Sequence, residues 1–527
     1  MTKLLLILGL LVGIFLPGES LAQENKSNFV HVSLVDRMQQ DSKTECISDS
    51  VLSFGGGDII QGEDGRYHLF VSGWVADSAR QDKLMPDSMI YQAISEKPQG
   101  PYKMLRSIGA GCHPEVFKLA DNSYMISVQG GYYSAKSLEG LWTFHTFGFD
   151  SRNRPAVKTS SHWSLARRKD NSFLMVSQEG GVWVSQSGVS TYNGVTDEGV
   201  FPLVATDYDD WVVWRDNVQY HLLLGNHENS QCYYMRSLDG LHWVIESKLD
   251  YSQVMKMGAD SLGLEKVVYG CPSVLQNEEG KAIQLNLEVT QVRKDGKMHS
   301  RNVSFSLEPD LDVRLINKKP ITDAVQKLEI LVKGNDRFNP LTDLDLPTLR
   351  AGSPLEVNRG GGGIVVESKP QGKDLLLTFY ADFYDFPHGE FAVKLAGKKQ
   401  DGTKVAGYMR LPQLKDNPLM SVRKPIFANF LNKKRIKMTV ENLGDVSSRR
   451  MNIYLKYKEN GKYKVLFKEK LPPLRPFEVY NFTVDVKWVL NDRCRYEFVV
   501  VVDDKDYESE YHFAKSVQHK PFQLTLQ

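Results

Sequence analysis

Five hairpin signals in a row constrain this chain more than any other feature. In the first, a short apolar strand begins at Asp58, turns at Glu63-Asp64-Gly65 and returns as a β-rich strand over 66–72. His113-Pro114-Glu115-Val116-Phe117 leads in the same way to a turn at Asp121-Asn122 and a strand over 123–128. Ser161-His162-Trp163-Ser164-Leu165 leads to Asp170-Asn171 and 172–177. Asp209-Asp210-Trp211-Val212-Val213-Trp214 leads to Asp216-Asn217 and 219–224, and Cys271-Pro272-Ser273-Val274-Leu275 to Glu279-Gly280 and 281–287. Each copy is a polar residue, an apolar strand, a tight turn with its own turn chemistry, and a second strand.

The copies start near 58, 115, 162, 210 and 272, so the steps are 57, 47, 48 and 62 residues. Hairpins repeating at about 40–50 residues are the mark of propeller blades. The expected fold is therefore all-β, with a five-bladed β-propeller over roughly 46–320. The first strand of each blade lines the central channel. Asp58, Glu115, His162, Asp210 and the Cys271-Pro272 step should then meet at one axis, although they are far apart in sequence.

Two further β blocks follow. Residues 338–415 contain short strands at 344–350, 374–379 and 407–412, and are expected to form a β-sandwich-like domain; 325–332 just before them reads as a short helix or strand. The glycines at 360–363 lack the strand-before, helix-after setting and the lysine of a phosphate loop, and read as a turn. Residues 425–515 alternate as Ile436, Met438 and Val440 before Asn442-Leu443-Gly444, and continue in strands near 452–457, 464–469, 479–486 and 496–502. That spacing suggests an immunoglobulin-like sandwich.

The N-terminus combines Lys3, an apolar run over 4–16 and small residues at Ser20 and Ala22. It reads as a secretory signal peptide over 1–22, with the mature chain starting at Gln23. The run of 13 residues is too short to span a bilayer comfortably. The expected location is exported, periplasmic or extracellular, with no membrane association after cleavage. The formal net charge of +1 offers no basic surplus for nucleic acid. The five cysteines, Cys46, Cys112, Cys232, Cys271 and Cys494, are odd in number and show no metal-ligand spacing. Buried free thiols are expected, with no disulfide framework, no zinc site and no cofactor.

Residues 46–320 resemble the five-bladed propeller superfamily of glycoside hydrolases that includes families 43, 32, 117 and 130. The likeness rests on Gly57-Asp58 with Asp64-Gly65-Arg66-Tyr67-His68, on His113-Pro114-Glu115-Val116, on 209–216 with Tyr220-His221, and on Ser237-Leu238-Asp239-Gly240. Residues 338–412 are similar to a β domain that accompanies such propellers in secreted Bacteroidetes proteins, and 425–515 look like an adhesion-type immunoglobulin module. The resemblance implies a secreted hydrolase of polysaccharide-derived oligosaccharides that uses carboxylates around the axis. Asp58 matches the general base, Glu115 the residue that sets the acid's pKa, and Asp210 or its neighbour Asp209 the acid. Family 117 is thought to use a histidine acid, which makes His162 or His113 the substitute.

Two departures stand against a standard site. The fifth repeat reads Tyr269-Gly270-Cys271-Pro272 where some relatives carry Glu-Arg-Pro, and the fourth lacks the proline after Asp210. Trp74, Trp163, Trp211 and Trp214 are candidate sugar platforms, with Trp163 and Trp211 nearest the strand starts. The competing class is a non-catalytic carbohydrate-binding propeller.

Overall fold

The computed structural model describes residues 32–39, 44–75, 88–152, 162–201, 208, 210–226, 231–250, 264–294, 298–321, 327–380, 386–387, 389–430, 433–486, 497–503 and 508–513. The expected signal peptide and Asp209 lie outside them. The described chain is nearly all β. Its α-helices are the single turns Pro340–Asp343 and Pro354–Asn358. It divides into two units, one of residues 33–309 with 414–527, the other of 1–32 with 310–413.

In the first unit, each sequence hairpin opens its own antiparallel sheet. Sheet one runs Leu52–Gln61, Tyr67–Val75, Met89–Ser95, Lys103–Ala110. Sheet two runs Glu115–Lys118, Tyr124–Val128, Gly131–Ala135, Thr143–His145. Sheet three runs Trp163–Arg167, Phe173–Ser177, Val182–Ser185, Tyr192–Gly194, with Phe149–Asp150 added in parallel at its edge. Sheet four runs Asp210–Arg215, Tyr220–Asn226, Gln231–Ser237, Trp243–Asp250. Sheet five runs Leu264–Gln276, Ala282–Arg293, Met298–Ser306, and its outer strand is the N-terminal Thr44–Ile47. Strand Thr44–Ile47 thus ties the start of this region to its end.

The turns form for the reason the sequence suggested. Asp64, Asp121 and Asp170 each accept the N–H two residues on, and Asp216 accepts those of Val218 and Gln219. The residue after the aspartate takes a left-handed backbone at Gly65, Asn122 and Asn171, with φ of 81°, 65° and 65°. Second strands such as Tyr124–Val128 and Phe173–Ser177 are buried along their whole length. They are covered on both faces, which is why they read as unbroken apolar runs.

Hydrogen bonds link each first strand to the next. Asp58 Oδ2 accepts Val116 N–H (2.9 Å), Glu115 Oε2 accepts Leu165 N–H (2.7 Å), and Ser164 Oγ accepts Val213 N–H (3.0 Å). Asp210 Oδ2 accepts Cys271 N–H (2.9 Å), and the Ser273 hydroxyl donates to Gly57 O. The circuit runs through all five sheets and returns to the first.

Residues 414–527 of the same unit contribute two four-stranded sheets. One contains Met420–Val422, Ile426–Phe430, Lys433–Asn442 and Val479–Val486; the other Lys462–Leu471, Met451–Glu459, Phe498–Asp503 and Glu508–Phe513. Ile436, Met438 and Val440 from the first meet Ile453, Leu455, Val500 and Val502 from the second in one core. Polar clamps join these residues to the third sheet. The buried Arg152 guanidinium bonds Glu441 and donates to Ser421 Oγ (2.8 Å), while Arg423 holds Asp150 (2.5 Å).

The second unit differs from the sandwich-like expectation. It is one seven-stranded sheet, in the order Val313–Leu315, Leu328–Val332, Asp374–Tyr380, Gly363–Gln371, Arg350–Gly352, Ala392–Lys398, Lys404–Arg410. A bulge between Val365 and Glu367 bends it. Its two ends approach, and Leu311 N–H donates to Ala406 O (2.8 Å). The sheet therefore curls nearly closed instead of stacking on a second one. It also takes in Leu328–Val332, which is strand rather than helix.

Candidate functional site

The site is built two residues ahead of the inter-sheet bonds. The bonding residues are Asp58, Glu115, Ser164, Asp210 and Ser273. Two positions before each stand Gly56, His113, His162, Tyr208 and Cys271. The chain leaves regular strand geometry there. Gly56, His113 and Cys271 have φ of 48°, 51° and 47°, and bulges interrupt the ladders between Gly55 and Gly57 and between Gly270 and Ser273. A positive φ is uncommon outside glycine and is held only where surroundings enforce it. Here Ser72 Oγ receives the His113 N–H (2.9 Å), and Asp210 receives that of Cys271.

The three left-handed positions meet. A Cβ on Gly56 would lie 3.2 Å from His113 Nδ1 and 3.5 Å from Cys271 Cβ. They surround a central pocket of about 30 Å³, also lined by Glu115, His162, Trp163, Asp210 and Trp211. That volume holds a water molecule or a single hydroxyl group.

The fold therefore gathers Glu115, Asp210, His113, His162, Trp163 and Trp211 as the sequence suggested. Asp58 and Trp74 are not among the lining residues. Trp74 packs its indole beside Gly55, next to the buried Glu288 carboxyl. Trp163 and Trp211 are only 6% and 4% exposed, and their N–H groups are bound by Ser127 Oγ (2.9 Å) and Val176 O (3.1 Å). They wall the pocket from within the core. Trp214 stacks on His221 away from it, at 4.9 Å between centroids.

The carboxyls are heavily engaged. Asp58 accepts Ile59 N–H on Oδ1 and Val116 N–H on Oδ2, both at 2.9 Å. Glu115 accepts the Ser164 hydroxyl (2.5 Å) and Leu165 N–H (2.7 Å). Asp210 accepts Cys271 N–H on Oδ2, and its Oδ1 faces the Cys271 thiol at 3.5 Å. Burial pushes the Asp58 carboxyl up to about 7, against the pull of its two N–H bonds. Glu115 is pushed up to about 8, first by burial and last by the nearby Asp58 charge, while Ser164 and Leu165 act in the other direction.

His162 stacks on His113 at 4.4 Å and against Trp211 at 4.3 Å between centroids. Burial, with His113 second, pulls the imidazole down to about 3. Such a shift favours the neutral imidazole at physiological pH.

Sequence reading passed over Gly56; it brought the Cys271-Pro272 step to the axis and expected a buried free thiol, which Cys271 is, without giving it a part in the site. The available signal was a shared frame: Gly56-Gly57-Asp58, His113-Pro114-Glu115 and Cys271-Pro272-Ser273 align once the bonding residues are superposed. Among residues able to hold a metal, the donor atoms of His113, Asp210 and Cys271 all lie within 4.8 Å of one another.

No protein-family model matches the chain, and no curated protein matches it. Several solved structures are similar over part of their length. One is Zg3597, a family 117 glycoside hydrolase from the marine bacterium Zobellia galactanivorans, 13% identical over 49% of this chain and 85% of that one, with a TM-score of 0.37. Another is a thermostable family-43 glycoside hydrolase, 12% identical over 55% and 95%, TM-score 0.32. A third is a family 43 arabinoxylan arabinofuranohydrolase from Bacillus subtilis, 9% identical over 87% and 94%, TM-score 0.31. At this level of likeness the neighbours' activities remain their own.

Proposed function

We propose that this chain is an exported, carbohydrate-directed protein. In this reading 46–320 form a five-bladed propeller of the glycoside-hydrolase type, 338–415 and 425–515 are accessory β modules, and the central pocket receives one end of an oligosaccharide. One observation carries it: separate strand starts deliver His113, His162, Asp210 and Trp211 to a single pocket. Imidazole and carboxyl groups suit sugar hydroxyls. The pocket is too small for the ring, so one hydroxyl enters and the ring rests above it.

Between binding and hydrolysis, the geometry favours binding. The mechanism expected from sequence has Asp58 as base on water, Asp210 as acid and Glu115 tuning it. Each oxygen of those three carboxyls faces a protein donor, and apart from the Asp58 Oδ1 bond to Ile59 N–H these bonds also fasten neighbouring sheets. Proton transfer at any of them would disturb a fastening. Hydrolysis is the second reading, supported by the raised Asp58 and Glu115 carboxyls, which exchange protons near neutral pH.

A glycan screen with product analysis separates the two. The expected result is saturable binding of an oligosaccharide without product, retained within a few-fold in Asp58→Asn. Turnover by the wild type that falls by about 10²–10⁴-fold in Asp58→Asn, with binding intact, would instead establish the hydrolase. Export is tested by N-terminal sequencing of secreted material, which should read from Gln23; an intact Met1 would refute it.

A further inference from the structure

We propose that His113, Asp210 and Cys271 form a site for a thiophilic divalent cation of the zinc class, with one coordination position open to the central pocket. The three side chains come from sheets two, four and five, and each offers a different donor: imidazole nitrogen, carboxylate oxygen and thiolate sulfur. Mixed N, O and S donors select zinc or cobalt. Calcium and magnesium prefer oxygen alone, so a thiolate in the set disfavours them.

The distances suit a four-coordinate ion. Zn–S near 2.3 Å and Zn–O near 2.1 Å at a tetrahedral angle place sulfur and oxygen about 3.6 Å apart. Cys271 Sγ and Asp210 Oδ1 are already 3.5 Å apart. No pair among the three donors exceeds 4.8 Å. An imidazole edge of the same tetrahedron is about 3.5 Å, so closing the site needs at most about 1.3 Å of movement by His113.

Backbone and packing support the same three residues. His113 and Cys271 are held in a left-handed conformation that non-glycine residues rarely adopt. The His113 ring is braced by His162, itself braced by Trp211, which limits how far the imidazole can turn. Asp210 keeps Oδ2 on the Cys271 N–H and points Oδ1 at the sulfur. A carboxylate oxygen has two lone pairs, so ligation leaves the sheet fastening in place. The pocket of about 30 Å³ supplies room for one water as the fourth ligand. On binding, the Cys271 S–H bond breaks, its electron pair goes to the metal and its proton is released to solvent.

The Cys271 thiol faces another member of the set, Asp210 Oδ1, whereas the other described thiols face groups outside it. Cys46 is bonded to Ser304 Oγ (2.6 Å) and Cys112 to Gln129 Oε1 (2.6 Å). Cys232 lies in the apolar core shared by the fourth and fifth sheets and serves as the control.

The test is Co²⁺ titration of the full chain after chelator treatment, followed by optical absorption. The expected result is one equivalent bound, with a thiolate-to-cobalt charge-transfer band and one proton released. Cys271→Ser should remove the band and weaken binding at least 100-fold; His113→Gln should weaken it at least tenfold; Cys232→Ser should change neither. Should Cys271→Ser fail to fold, as judged by circular dichroism, His113→Gln decides. No saturable Co²⁺ binding to the wild type, a band that persists in folded Cys271→Ser, or undiminished affinity in folded His113→Gln overturns the site. Saccharide binding is not part of this test, so the two proposals stand or fall separately.

Discussion

Glu441→Ala should destabilise the first unit by about 3–5 kcal/mol, the penalty for leaving a buried charge without its partner. Arg152 is 0% exposed, and its Nε and Nη1 groups bond Ser421, Glu441 and Asn193. Its NH2 group has no hydrogen-bond partner among the described residues. Burial pulls the guanidinium down and Glu441 opposes this, yet arginine stays charged in proteins. Removing the carboxylate therefore leaves a cation in the interface between the third sheet and residues 414–527. Urea unfolding should show a lower midpoint. Limited proteolysis should show residues 414–527 released earlier than in the wild type. A double variant, Arg152→Met with Glu441→Leu, should recover most of the loss, since apolar replacement of a buried pair is often neutral or stabilising. An unchanged midpoint in Glu441→Ala would show that the clamp contributes nothing.

The second large effect is a pH dependence traceable to Glu115. Its carboxyl rises from 4.5 to about 8 on folding, chiefly through burial. The folded state then holds a proton that the unfolded state has released between those values. The stabilisation is fully present below pH 4.5 and is lost as pH rises through about 8. A shift of this size corresponds to about 5 kcal/mol at most. Glu115→Gln is neutral at every pH and can still accept the Leu165 N–H. Between pH 5 and 9 the wild type should lose several kcal/mol relative to this variant, as read from urea midpoints at pH 5, 7 and 9. Asp58, raised to about 7, should leave a residual slope of the same sign in Glu115→Gln. Parallel stability profiles for the two proteins would rule out a titrating carboxyl at Glu115.

Much of the five-sheet region could be read from residues alone, because its signals are local. An aspartate that caps its own turn at Asp64, Asp121 or Asp170 needs only two further residues to do so. The inward alternation of Ile436, Met438 and Val440 is equally local. The seven-stranded sheet was misread for the opposite reason. Leu311 and Ala406 are too far apart in sequence for any pattern to announce that the sheet ends meet.

What the sequence by itself determined was the number, spacing and turn chemistry of the hairpins, and which segments start near one another. Strand periodicity is two, so it cannot separate a residue from the one two positions earlier. Asp58 and Gly56, Glu115 and His113, or Ser273 and Cys271 are equivalent by pattern. Only the tertiary structure decided which member bonds the next sheet and which lines the pocket. The choice depends on left-handed backbone at Gly56, His113 and Cys271, and on main-chain donors 58, 50 and 61 residues away at Val116, Leu165 and Cys271. These are contacts between sheets, absent from any one hairpin. They make Asp58, Glu115 and Asp210 fastenings between sheets and bring His113 and Cys271 beside Asp210.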